Sequence, residues 1–177
     1  MLNIPKLISL HEREPQRFTC FWQSDSPFSN FHKSYFEDHE RGYTCMEQYM
    51  MYKKAMLFRD YDIAKKILKL GYSNPHEYKK LGRKVQNFDP KIWEEHKVNI
   101  VRTGCELKFT ADNDLCDALL ATDGTILVEA SPYDDIWGVK LAADDPRIQN
   151  PRQWRGQNLL GFILTDIRER ILSGELA

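Results

Sequence analysis

No run of apolar residues in this sequence approaches the roughly 20 needed to cross a bilayer, which excludes a helical membrane span. Net charge is equally scarce: 25 Lys and Arg against 26 Asp and Glu leave −1, so no global field draws the chain to nucleic acid or to an anionic membrane. That argues against a general binder of phosphate backbone but leaves room for an enzyme that meets a few phosphates locally. The four cysteines, Cys20, Cys45, Cys105 and Cys116, make no Cys-x-x-Cys pair, and no His stands at zinc-ligand spacing from them. The five histidines (His11, His32, His39, His76, His96) form no ligand cluster and read as surface residues. Also missing are Gly-x-Gly-x-x-Gly, a Walker loop, Gly-x-Ser-x-Gly and His-Glu-x-x-His. These absences disfavour a Rossmann dehydrogenase, a P-loop enzyme, an elbow-type serine hydrolase and a zinc protease. Pro5 and Lys6 interrupt the apolar residues of the N-terminus, and no small-residue cleavage site follows. Without a secretory segment the cysteines read as reduced and the protein as soluble and cytoplasmic.

What remains is an ordinary globular composition: 177 residues, 42% hydrophobic and 29% charged, with aromatics slightly rich at 12%. That length supports one domain with a proper core, and no repeat, low-complexity tract or linker divides it. Residues 1–17 form a polar, Pro-punctuated lead-in, and residues 18–177 form the domain. Phe18 to Trp22 reads as a short strand and Ser24 to Asn30 as a loop. Tyr35-Phe36 and Tyr43-Thr44 make a candidate hairpin. Helices follow: Thr44 to Phe58, opened by the capping-box signature Thr44-x-x-Glu47; Tyr61 to Leu70, stopped by Gly71; Asn74-Pro75 to Lys84; and Asp89-Pro90 to Phe109. In the last of these, Trp93, Ile100 and Leu107 share a face. Asp112 to Ala121 is a short helix and Thr125 to Glu129 a strand-like run. Leu160, Ile163, Leu164, Ile167 and Ile171 stripe a final helix. The fold class is therefore mainly α, a compact multihelical domain with a few short β-strands.

The segment from Glu129 to Gly138 is the most informative stretch. It crowds three carboxylates, Trp137 and Gly138 into ten residues with neither helical nor strand periodicity, as a shaped loop at a cleft would. Carboxylates beside an aromatic can hold a base or sugar and stabilise a developing cation. The plainer alternative is a turn in which Asp134 and Asp135 cap a short helix and Trp137 fills the core. Glu47 and Lys54 form a second constellation. Seven residues apart on a helix, they point within about 20° of each other and lie roughly 10 Å apart along the axis. They can line one pocket but not pair. Glu47 at the third position of a capping box would also reach back to the Thr44 amide, and Lys54 alone is compatible with a solvated surface lysine. Lys79, Lys80, Arg83 and Lys84 form one basic cluster, and Arg147, Arg152 and Arg155 another; each offers cations to phosphate oxygens or is simply a solvated face. Gly156-Gln157-Asn158 leads into the last helix, whose free N–H groups a ligand could approach over the glycine.

Seven motifs in order resemble those of the YbiA-like, or NADAR, family over residues 18–172. They are Ser26-Pro-Phe-Ser-Asn-Phe31, Thr44-x-x-Glu47-Gln-Tyr-Met50, Lys54-Ala-x-Leu-Phe58, Leu81-Gly-Arg-Lys84, Leu127-Val-Glu-Ala-Ser-Pro132, Asp135-Ile-Trp-Gly138 and Gly156-Gln-Asn-Leu-Leu-Gly161. The resemblance implies a multihelical fold with a pocket for a ribosylated nitrogen compound, and an N-glycosidase. One branch of the family acts on phosphorylated ribosylamino-pyrimidine intermediates of riboflavin synthesis, another on ADP-ribose attached to guanine in nucleic acid. Both break a bond between ribose C1 and nitrogen.

For that reaction Glu47 is the first choice of carboxylate, because positive charge builds on the sugar as the bond breaks. Lys54 offers a second route, attack on C1 to give an imine. Asp135 is the third catalytic candidate. Glu129 and Asp134 are assigned to ribose hydroxyls or to the second acid–base role, Trp93 and Trp137 to stacking on the leaving base. Phe28, Asn30, Gly138 and Asn158 are assigned to positioning sugar or phosphate. No metal, cofactor or obligate protein partner is implied; the expected partner is a small ribosylated substrate or ADP-ribosylated nucleic acid. A module that binds NAD or ADP-ribose without cleaving it would need neither Glu47 nor Lys54, and a helical scaffold would leave the segment 129–138 unexplained.

Overall fold

The computed structural model describes residues 17–71 and 74–176; of the lead-in assigned to residues 1–17, all but Arg17 lies outside them. Four helices start where a short polar side chain accepts the first free backbone N–H groups. Asp60 accepts from Ile63 N (3.0 Å) and Asn74 from His76 N (3.1 Å). Asp89 accepts from Lys91 N (2.8 Å) and Asp112 from Asp114 N (2.9 Å). The helices they open are α2 (Tyr61–Lys69), α3 (Pro75–Gly82), α4 (Pro90–Thr110) and α5 (Asn113–Leu120). A central helix, α1 (Met46–Leu57), precedes them, and α6 (Leu159–Leu172) ends the domain. Helix α3 stops at Gly82, two residues before the Lys84 expected from sequence.

The strands are few and short. Phe36–Glu37 (β2) pairs antiparallel with Gly42–Tyr43 (β3), as the aromatic pairs around Gly42 suggested. Arg17–Phe21 (β1) runs parallel to Thr125–Glu129 (β4), with Arg17 opposite Thr125 and Phe21 opposite Glu129. The outer edge of β4 is closed by side chains of α6 instead of a third strand. Thr165 Oγ1 accepts from Leu127 N (3.1 Å), Asn158 Nδ2 donates to Leu127 O (3.0 Å) and Asn158 Oδ1 accepts from Glu129 N (3.0 Å). A bare strand edge is thereby satisfied and covered.

Helix α1 is buried from Met46 to Tyr52, so it lies inside the helical layer instead of on its surface. Tyr43, Phe36 and Tyr49 pack around its start, with ring centroids 5.0 to 5.8 Å apart. Helix α6 presents the expected stripe, with Leu160, Ile163, Leu164 and Ile167 fully enclosed. Helix α4 departs from expectation. Trp93, Ile100 and Leu107 are only half-buried at the core's margin, and the enclosed row is Lys97, Val101, Gly104, Cys105, Lys108 and Phe109. Its two lysines made the inward face read as polar. Lys108 is 1% exposed and donates to Pro27 O (2.5 Å) and Ser29 O (3.2 Å). Arg168, 2% exposed, donates to Thr122 O (2.6 Å), Thr122 Oγ1 (2.9 Å) and Thr125 O (2.7 Å). No helix among the described residues is long and apolar enough to cross a membrane.

Candidate active site

Helix α1 opens without the capping box expected at Thr44. Its N-cap is Cys45, and Gln48 Oε1 takes both the Thr44 N–H (2.8 Å) and the Thr44 hydroxyl (2.9 Å). The Glu47 N–H goes instead to Asn30 O (2.8 Å) on the early loop. This contact ties the loop to the helix, and Lys108 clamps the same loop from behind through Pro27 and Ser29. The Glu47 side chain is left free of local work. It is 3% exposed, and its Oε1 has no hydrogen-bond partner.

Strand β4 delivers the second carboxyl. Glu129 is its last residue, anchored through its N–H by Asn158 and through its carbonyl by Val139 N (3.0 Å), and its Oε2 is buried without a partner. Beyond it the chain turns on Asp134, whose Oδ1 accepts from Ile136 N (2.9 Å) and Trp137 N (2.8 Å). The carbonyls of Asp135, Ile136, Trp137 and Gly138 then accept from Gln157, Leu159, Leu160 and Asn158 N at 3.0 to 3.2 Å. The N–H groups of Asn158, Leu159 and Leu160, at the start of α6, are thus spent on this loop.

Between these elements lies a cavity of about 850 Å³. Glu47, Glu129, Asp134 and Asn30 give it acceptors; Lys54, Lys79, Lys80 and Arg83 give it cations; Trp22, Phe31, Trp93, Tyr133 and Trp137 give it rings. Three of its polar atoms are buried with no partner: Glu47 Oε1, Glu129 Oε2 and Asn30 Oδ1. Orphaned buried acceptors are costly, so three in one hollow suit a ligand that supplies donors or positive charge. Burial pushes the Glu47 carboxyl up to about 7, Lys79 opposing and Asp134 assisting. Burial, then the charges of Asp134 and Glu47, push Glu129 up to about 8. With Glu47 raised to about 7 and Glu129 to about 8, the pair holds a proton near neutral pH. Lys54 Nζ donates to Gly82 O (3.0 Å) and stands over the rings of Phe88 (4.3 Å) and Trp93 (5.5 Å). Its ammonium is held below the ordinary lysine range by burial, against the pull of Glu47 and with help from Arg83. Gly82 itself packs against Met51: a Cβ there would stand 1.9 Å from Met51 Sδ.

Of the residues singled out from sequence, Glu47, Lys54, Asn30, Trp93, Glu129, Asp134 and Trp137 line the cavity together. Four do not. Asp135 is exposed and bonded to Lys140 Nζ (2.9 Å), so it faces solvent, which corrects its assignment as a catalytic group. Phe28 is packed into the core between Phe21 (5.6 Å) and Phe109 (6.4 Å). Asn158 is fully buried, both ends of its amide spent on β4. Gly138 packs on the backbone: a Cβ there would meet Glu129 O at 2.8 Å. The helix start at Gly156 is likewise closed to ligand, since its Cβ would fall 2.3 Å from Gly138 O. Arg147 pairs with Asp145 (2.5 Å) away from the cavity. Sequence reasoning gave no role to Trp22, Phe31 and Tyr133; the available signal was that Phe31 ends the early-loop motif and Tyr133 lies within the segment 129–138. Among the described residues, no group of His, Cys, Asp and Glu is placed to hold a metal ion.

The sequence pattern of the NADAR domain matches residues 18–172. The chain is 46% identical over 127 residues to N-glycosidase R617 of Acanthamoeba polyphaga mimivirus, spanning 72% of this chain and 74% of that protein. It is 38% identical over 180 residues to Protein irg-1 of Caenorhabditis elegans, spanning 93% of this chain and 84% of that protein. In fold it is similar to the NMR structure of the E. coli protein YbiA, with a TM-score of 0.72 at 24% identity over 93% of this chain and 92% of that one.

Proposed function

The chain belongs to the NADAR domain family, and on that premise we propose that it is an N-glycosidase hydrolysing the C1–N bond of ribosylated nitrogen compounds, foremost phosphorylated ribosylamino-pyrimidine intermediates of riboflavin synthesis. The observation that carries this reading is the pair of buried, unpartnered carboxyls, Glu47 and Glu129, facing one cavity with Lys54. Glu129, the more strongly raised, holds the proton and gives it to the departing nitrogen as C1–N breaks. Glu47, ionised at that moment, stabilises the positive charge left on the sugar, and water adds to C1 as its second proton returns to the pair. The alternative route uses Lys54: its neutral amine attacks C1 as nitrogen leaves with the Glu129 proton, the sugar ring opens to an imine as its oxygen takes a proton lost by the lysine nitrogen, and water hydrolyses the imine to the sugar phosphate and the free lysine amine. A second substrate, ADP-ribose on guanine, is favoured by one observation. Trp22 and Tyr133, 39% and 83% exposed, form a ring pair 6.1 Å apart at the mouth, where a second flat group can rest.

The test is a side-by-side assay on a ribosylamino-pyrimidine phosphate and on guanine-linked ADP-ribose. Glu47→Gln should lower kcat by about 100-fold or more with little change in binding. Lys54→Arg keeps the charge without a nucleophile, so full activity in that variant excludes the imine route. Turnover of neither compound by the wild-type protein, with measurable binding of ADP-ribose, would replace the enzyme by a binding module.

A further inference from the structure

The early loop enters the cavity wall through Ser29, Asn30 and Phe31. Its apolar anchor is Phe28, packed between Phe21 and Phe109. Such a contact fixes depth, but it is non-directional and does not set which way the neighbouring peptides face. Lys108 supplies the direction. Its ammonium donates to Pro27 O (2.5 Å) and Ser29 O (3.2 Å), the carbonyls on either side of Phe28, and stands over the Phe109 ring (4.9 Å). A buried charge is costly unless it is paired, yet Lys108, 1% exposed, makes no ion pair among the described residues. One residue beyond Ser29, Asn30 O accepts the Glu47 N–H (2.8 Å), while Asn30 Oδ1 is buried in the cavity without a partner. A chain of contacts thus runs from Lys108 on α4 through the loop to Asn30 and the start of α1. The largest charges acting on Glu47 come from Lys79, Asp134, Lys54 and Arg83, so Lys108 reaches the site through the loop and not through its field.

We propose that Lys108 is a positioning residue of the glycosidase: by orienting the carbonyls that flank Phe28, it holds Asn30 Oδ1 toward the sugar and fixes the Glu47 end of α1. The proposal rests on the glycosidase reading and adds to it a residue that touches no substrate. Charge-assisted hydrogen bonds are roughly twice as strong as neutral ones, so an ammonium holds the loop more firmly than a hydroxyl or amide would. The reaction needs that firmness, because a displacement of about 1 Å caused from outside the site can cost about 100-fold in rate. Arg168 makes the contrast. It is as deeply buried and as well tied to carbonyls, but Thr122 and Thr125 lie outside the cavity lining. Removing Arg168 loosens the fold; removing Lys108 loosens the site.

The experiment is a double-mutant cycle of Lys108→Met and Asn30→Ala, read as kcat/KM on whichever compound of the side-by-side assay the wild type cleaves, at a temperature where every variant is folded. Each single variant should lose about 10- to 100-fold, but adding Lys108→Met to Asn30→Ala should cost less than about threefold more. Arg168→Met should stay within about twofold of the wild type. Hydrogen exchange gives a second readout: the Glu47 N–H should exchange at least about 10-fold faster in Lys108→Met than in Arg168→Met, because only the former frees the loop that protects it. Additive losses in the cycle, full activity in Lys108→Met, an equal loss in Arg168→Met, or unchanged exchange at Glu47 overturns the assignment and leaves the glycosidase reading standing. If Lys108→Met does not fold, Lys108→Gln, which keeps a shorter donor, takes its place under the same criteria. If the wild type cleaves neither compound, the glycosidase reading fails and the cycle is read on ADP-ribose affinity: coupled losses support the positioning role, additive losses or no binding overturn it.

Discussion

The buried charges on the two sides of β4 contrast sharply. Toward α6, Arg168 spends its guanidinium on Thr122 and Thr125, and behind the early loop Lys108 spends its ammonium on Pro27 and Ser29. Toward the cavity, Glu47 is as deeply enclosed and Glu129 is half-buried, yet each keeps a buried oxygen with no partner. The first group is tied into the backbone and belongs to the scaffold. The second costs stability and is tolerated only if something arrives to use it. Burial alone marks neither; the missing partner marks the site.

That contrast makes predictions of opposite sign. Arg168→Met strips two buried carbonyls of their donor and should lower the unfolding free energy by about 3 kcal/mol, read from the urea midpoint. An unmoved midpoint would erase the distinction. Glu129→Gln should do the reverse at high pH. A carboxyl raised from 4.5 to about 8 by folding contributes its full stability below 4.5 and loses it as pH climbs through 8. The glutamine variant, which cannot ionise, should therefore gain about 4 kcal/mol on the wild type between pH 4 and pH 9, falling below it near pH 4 by the cost of an unpartnered amide and exceeding it near pH 9. Melting curves across that range would show it, and a variant equally stable relative to wild type at both pH values would contradict the raised carboxyl. The smallest effect sharpens the comparison by its absence. Asp135→Asn touches only an exposed pair with Lys140 and should change stability by less than about 0.5 kcal/mol and the rate by less than about twofold. A large loss of rate would return Asp135 to the catalytic group.

Local rules carried the fold well where the chemistry is local. Asn74-Pro75, Asp89-Pro90 and Asp112 open helices as their side chains demand, and Thr125–Glu129 is a strand at those bounds. They failed where a distant group intervened. The box at Thr44 did not form because Asn30 O, from another segment, took the Glu47 N–H first. The apolar row of α4 misled because the truly enclosed row contains two lysines satisfied by backbone or a neighbouring carboxylate. The same limit governs the site. Glu47 and Lys54 were legible from helical spacing, whereas Glu129 and Asp135, six residues apart in one polar segment, look alike until the strand end and Lys140 separate them.

Gly82 carries one more consequence. The hydrogen atom in place of its side chain makes room for Met51 in the cavity wall, beside Lys54. A single methyl at residue 82 would stand 1.9 Å from the methionine sulfur, so Met51, which lines the cavity, would have to shift. The shape of the cavity wall at this point therefore depends on the side chain that residue 82 lacks.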